Sequence, residues 1–157
     1  MTSAQQPDQS PAPPCADRTA VLRWAGPLRV LLGAAALGTA GVAVWLFWVT
    51  TAVLPARDPA RVPLWRLVAA GDLLFAGLSW FYLVRGAGRA TLRLALMGAA
   101  IIATLLGIYG LEQALNPPAG THFEGYLLLL SLILGGHGLV AVGCVLAEGA
   151  ADGCRAR

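Results

Sequence analysis

Near the middle of two otherwise apolar runs of this sequence stand an acid and an imidazole: Asp72, within Leu64 to Val84, and His137, within Gly125 to Ala147. A carboxyl group and an imidazole inside a membrane can relay protons, bind an ion or a polar substrate group, or contact a cofactor. An acid near the centre of a spanning helix costs on the order of 2.5 to 3.5 kcal/mol on insertion scales, so Asp72 has to be protonated, paired or turned towards a wet cavity. With the runs centred near Leu74 and Gly136 and a rise of about 1.5 Å per residue, Asp72 lies about 3 Å from the midplane and within about 5 Å of the depth of His137. The two are the candidate catalytic residues, and they meet if their helices face each other.

Other groups share that depth. Thr39 in the first run and Thr104 in the third, with Ser79 nearby in the second, are polar neighbours for the pair. Tyr126, His137, Cys144 and Glu148 follow at offsets of 11, 7 and 4 and so share one helix face. Asp72, His137, Thr39, Thr104 and Cys144 therefore form the candidate set for a substrate or an ion. A purely structural use, a hydrogen-bonded pair that fixes helix register, accounts for the same residues equally well.

A second cluster, Glu112, His122 and Glu124, flanks the third connector. Two carboxylates and an imidazole are reasonable ligands for a divalent cation. Their spacing matches no metal motif, however, and solvation of helix ends explains them more simply, so no metal site is expected. Ligation of haem by two histidines within one chain is disfavoured because His137 is the only histidine inside an apolar run. Cys15, Cys144 and Cys154 have no paired spacing and imply neither a disulfide framework nor a zinc site. Nucleophile elbows, phosphate loops and zinc-protease helices are absent from the sequence, and no cofactor is implied.

The elements that position these residues are set by hydropathy. Of the 157 residues 57% are hydrophobic and 12% charged, against about a quarter charged in soluble domains. Four runs, at about 30–54, 64–84, 94–111 and 125–147, come close to the roughly 20 residues that cross a bilayer as helix. Backbone groups in lipid must be paired within the segment, and no strand-like alternation is present. The predicted fold is therefore an all-α integral membrane protein, an antiparallel four-helix transmembrane bundle occupying residues 27–148. The connectors are short and carry turn signals at Arg57-Asp58-Pro59, Gly86-Ala87-Gly88 and Asn116-Pro117-Pro118. Residues 1–16, rich in proline, glutamine and serine, read as a disordered tail. Residues 17–26 read as an interfacial juxtamembrane helix that Gly26-Pro27 breaks before the membrane, and 149–157 as a second tail. The first run is longer than the core of a signal peptide and is expected to remain uncleaved.

All 11 basic residues are arginines, a composition that resembles G+C-rich bacterial coding. Arg18, Arg23, Arg29, Arg85, Arg89, Arg93, Arg155 and Arg157 fall on one side, and Arg57, Arg61 and Arg66 on the other. This asymmetry predicts a plasma-membrane protein with both termini cytoplasmic. Spread among helix ends rather than gathered in one patch, the arginines fit lipid headgroups and not nucleic acid. Trp48, Trp65, Tyr109, Phe123 and Tyr126 are expected in one interfacial belt and Trp24, Trp80 and Tyr82 in the other.

Small residues mark where helices can approach closely: Ala95, Ala99, Ala103 and Gly107 in the third helix, Ala34 with Gly38 in the first, Ser131 with Gly135 in the fourth. Two functions fit such a chain. One is an accessory or assembly subunit, or a small oligomeric carrier, with the bilayer and other membrane subunits or further copies as partners. The other is a small intramembrane enzyme or redox protein that acts on a lipid-soluble substrate of quinone or isoprenoid type, with Asp72 and His137 as acid and base. An apolar cavity opening sideways to lipid favours the second kind of chemistry.

Overall fold

The computed structural model describes residues 18–52, 59–85, 90–116 and 125–155. Among them four long helices account for nearly everything: α1 Arg18–Ala52, α2 Val62–Arg85, α3 Ala90–Leu115 and α4 Gly125–Arg155. A single 3-10 turn, Pro59–Arg61, leads into α2, and no strand is present among the described residues. Each helix is long and apolar enough to cross a membrane. The chain is thus a helical multi-pass membrane protein.

Residue pairs give the helix directions. Gly107 meets Gly135 while Arg93 meets Asp152, so α3 and α4 run antiparallel. Arg29 meets Glu148 while Thr39 meets His137, so α1 and α4 do as well. In space the order is α2, α1, α4, α3: α1 packs on α2 and α4, α3 packs mainly on α4, and α2 and α3 barely touch although they are neighbours in sequence.

The tightest seam is between α3 and α4. The Gly107 and Gly135 backbones face each other, and beside them Gly138 lies against the Ala100 carbonyl and the Thr104 amide. Lipid supplies no hydrophobic drive between helices, so this close approach, with its dispersion contacts, is what holds the pair. The contact face of α3 comprises Leu96, Ala100, Ala103, Gly107 and Ala114. It includes Ala103 and Gly107 of the expected stripe, but Ala99 is only half-buried and Ala95 is exposed. The four-residue spacing drifts around a helix of 3.6 residues per turn, so one stripe cannot stay on one face. Ser131 and Gly135 do face α3, whereas Ala34 and Gly38 of α1 point outwards.

Other expectations are corrected at the helix ends. Gly26-Pro27 does not break the chain: α1 continues through Pro27 as one helix of 35 residues. Proline removes only the bond to the carbonyl four residues back, and near a membrane surface water can take that bond over. Residues 149–155, expected as a tail, prolong α4, and α3 starts at Ala90, a turn before its apolar run. The proposed N-terminal tail at 1–16 lies outside the described residues.

Candidate functional site

Buried polar groups line the bundle interior: Thr39 and Thr50 on α1, Asp72 and Ser79 on α2, and Ser131, His137 and Glu148 on α4. Asp72, Phe75, Ser79 and Tyr82 recur at spacings of 3, 4 and 3 and are the inward side chains of α2. His137, Cys144 and Glu148 form the corresponding face of α4, all buried, as their shared helix face predicts. The side chain of Tyr126, assigned to the same face, lies outside the described residues.

His137 is held at both ring nitrogens. Nδ1 is 2.8 Å from the Thr39 hydroxyl on α1 and Nε2 is 3.0 Å from the Ser79 hydroxyl on α2. A neutral imidazole donates at one nitrogen and accepts at the other, and either hydroxyl can take either role. The Phe75 ring stacks on the imidazole with centroids 4.2 Å apart and planes tilted by 30°. His137 thus joins three helices at one depth.

Asp72 is not part of that lock. It is 6% exposed and has no hydrogen-bonding partner among the described residues. The direct Asp72–His137 hydrogen bond that the similar depths permit is absent, because Thr39 and Ser79 occupy the imidazole and Phe75 lies one turn from Asp72 on the same face. Thr104, at a comparable depth, turns its hydroxyl back onto the Ala100 carbonyl at 2.8 Å, against α4. Cys144 lies beyond His137, one turn from Glu148 on α4, 1% exposed.

Asp72 faces a cleft between α2 and α3, which touch only lightly. A cavity of about 450 Å³ is lined by Leu67, Gly71, Asp72, Leu74 and Phe75 of α2 and by Ile102 and Leu106 of α3, among others. Its lips are open, since Leu67, Leu74, Ile102 and Leu106 are 55 to 76% exposed. A second cavity of about 250 Å³ adjoins it at Asp72 and continues past Trp65, Tyr109 and Gln113.

A polar cluster at the opposite end of the bundle was not foreseen. Glu148 accepts from Arg29 Nε at 2.6 Å through one carboxylate oxygen and from the Tyr82 hydroxyl through the other. Arg93 of α3 pairs with Asp152 of α4. Tyr82 is fully buried and is not the belt residue expected from its position near the end of a run. Trp48, Trp80 and Tyr109 are more than 45% exposed, as belt residues are. The one available signal for the cluster was Glu148 itself, an acid on the same helix face as His137.

The metal candidates do not assemble among the described residues. Glu112 is exposed, His122 and Glu124 lie outside the described residues, and no group of three potential metal ligands forms among those described. The fold and these polar groups define a small helical membrane protein with a side-opening apolar cleft. Compared with protein-family models, curated proteins and solved structures, the chain matches none.

Proposed function

We propose that this protein is an accessory subunit or small carrier that holds a lipid-soluble molecule in the cleft between α2 and α3. The observation that carries this reading is an apolar cavity of about 450 Å³, open on the lipid-facing side, with a single carboxyl group on its wall. Ligand sites are typically apolar hollows of a few hundred cubic ångströms with few polar groups, and a cleft open to the bilayer gives an apolar molecule a route that avoids water. A side-opening apolar cleft is also the feature expected of the intramembrane-enzyme reading, but that reading needs His137 as the partner base, and the imidazole is engaged by Thr39 and Ser79 behind Phe75.

The setting we infer is the plasma membrane with both termini in the cytoplasm, from the eight-to-three arginine asymmetry. A role within a larger assembly has its own support: Ala34, Gly38 and Gly41 lie on the outward side of α1, and the two glycines have open space where a side chain would be. Such a smooth surface admits another helix.

The test is extraction of apolar molecules from purified protein, followed by mass spectrometry. Wild type is expected to carry one class of molecule in constant ratio to protein. Ile102→Trp or Leu106→Trp, which fill the cleft from exposed positions, should lower that ratio without loss of folded yield. Equal recovery from the filled variants sinks the reading.

A further inference from the structure

The cleft consists of two chambers that meet at Asp72. Val68, Asp72, Leu106 and Leu134 line both. The larger chamber is walled by aliphatic side chains and Phe75, with Asp72 as its one charged residue. The smaller one leads away past Trp65, Tyr109, Gln113 and Ser131 and has more polar groups on its wall. The Ser131 hydroxyl is turned onto the Leu127 carbonyl at 2.7 Å.

Asp72 is the unusual member. The residue is 6% exposed, it borders both chambers, and no donor among the described residues reaches it. Without a donor a carboxyl removed from water keeps its proton, because the ionised form is strongly disfavoured there; a charged donor satisfies the ionised form better than a neutral one. Each buried hydroxyl elsewhere in the interior has a partner; a donor to the ionised form of Asp72 has to come from the cleft. We infer that the cleft selects a head-and-tail molecule whose head donates a hydrogen bond, a hydroxyl or an ammonium group, to Asp72, with its apolar tail in the larger chamber. Against the ionised carboxylate, heads that only accept, and anionic heads above all, set oxygen against oxygen in an apolar setting and are rejected. The inference rests on the reading of the cleft as a ligand site and adds the chemistry of the head.

Four photoactivatable probes decide it: an alcohol, a primary amine, a methyl ketone and a carboxylate, each on the same diazirine-bearing alkyl chain. They are added to the full chain in uncharged detergent micelles, and the labelled residues are read by mass spectrometry. The alcohol and the amine should label Leu74, Ile102 and Leu106 in preference to the outward-facing Val44 and Leu139. The ketone and the carboxylate should label the cleft at least about tenfold less. Asp72→Leu should abolish the preference for donors. Asp72→Asn, which keeps an accepting oxygen but not the charge, should retain the alcohol and lose most of the amine. If labelling by the amine falls in Asp72→Asn while the alcohol persists, the natural head can be neutral; if even the wild type takes only the amine, it is cationic.

Cleft labelling that is equal for all four heads, or unchanged in both Asp72 variants, overturns the head assignment and leaves the cleft as a site. Absence of any preference for the cleft over Val44 and Leu139 overturns the ligand site itself. If Asp72→Leu does not fold, the amine-to-alcohol ratio in Asp72→Asn still decides.

Discussion

Gly107 and Gly135 bring the backbones of α3 and α4 into direct contact: a Cβ added to Gly107 would stand 2.5 Å from the Cα of Gly135 and 2.7 Å from its nitrogen. Neither atom belongs to a flexible side chain, so the helices themselves must part to admit even a methyl group. From the other side the space is easier, because a Cβ on Gly135 comes no nearer than 3.4 Å. Gly107→Ala should therefore cost about 1 to 3 kcal/mol through overpacking, despite the better helix propensity of alanine. Gly135→Ala should cost less, and Gly98→Ala, where nothing lies within 4 Å, should be neutral or stabilising. Thermal aggregation in one detergent, followed by size exclusion, gives this ranking; a Gly107→Ala protein as stable as Gly98→Ala would contradict the close contact.

The lock at His137 makes a second prediction. Thr39→Val and Ser79→Ala each remove one partner of the imidazole, and each should cost about 0.5 to 2 kcal/mol, the range for hydrogen bonds between membrane helices. Because both bonds share one ring, the double variant should not equal the sum of the singles. His137→Leu removes the donor and acceptor together and leaves two buried hydroxyls to turn back onto their own helices. A double-mutant cycle in steric-trap or denaturant unfolding checks this. Strict additivity would mean the two bonds do not depend on each other.

At the Glu148 end, the buried Tyr82 hydroxyl and the half-exposed Arg29 depend on one carboxylate. Tyr82→Phe should cost about 1 kcal/mol. Glu148→Ala should cost more, because it leaves the Tyr82 hydroxyl without a partner in the interior while Arg29 can turn to water. Glu148→Gln, which still accepts from Tyr82, should fall between them. A Glu148→Gln protein as destabilised as Glu148→Ala, with Tyr82→Phe neutral, would show that the arginine and not the tyrosine is the important partner.

Cys144 offers a test of burial that needs no stability measurement. It is 1% exposed between helices, so in a Cys15→Ser, Cys154→Ser background a maleimide should not label the folded protein and should label it fully after denaturation in SDS. Rapid labelling in mild detergent would place α4 differently.

Topology is tested by fusion. A reporter active only in the cytoplasm should work after Arg157 or within Gly86 to Gly88, and fail near Asp58, following the arginine asymmetry. Activity at Asp58 would invert the orientation.

The crossings were legible in the sequence; direction around each helix was not. The four runs and their order follow from hydropathy alone; their ends do not, and His137 bonds Ser79, two turns along α2 from Asp72. Which way each turns depends on how the helices are arranged around the bundle, and hydropathy is nearly uniform around a helix that faces lipid. Asp72 therefore looked like the natural partner of His137, when Thr39 and Ser79 hold that position. Tyr82 was misplaced for the same reason, since an aromatic side chain near a helix end fits an interfacial belt or a buried polar contact equally well. On α4 the periodicity of His137, Cys144 and Glu148 did fix a common face, because three polar groups at helical spacing in an apolar run carry directional information. The gap between α2 and α3 was illegible, as a short connector implies adjacent helices but not that they pack.

The spatial order α2, α1, α4, α3 also bears on how the chain assembles as it is made. Each of the two successive hairpins, α1 with α2 and α3 with α4, is closed within itself, and α4 supplies most of what joins them. Ser79 enters the membrane 58 residues before His137, an interval of about 3 to 12 s at ordinary synthesis rates. Through that interval the hydroxyls of Thr39 and Ser79 stand without their imidazole, and the first hairpin has to persist in the bilayer on its own packing. Any factor that captures nascent membrane helices would find this protein in that half-built state, with an apolar face and two polar groups uncovered, and would be displaced only when α4 arrives.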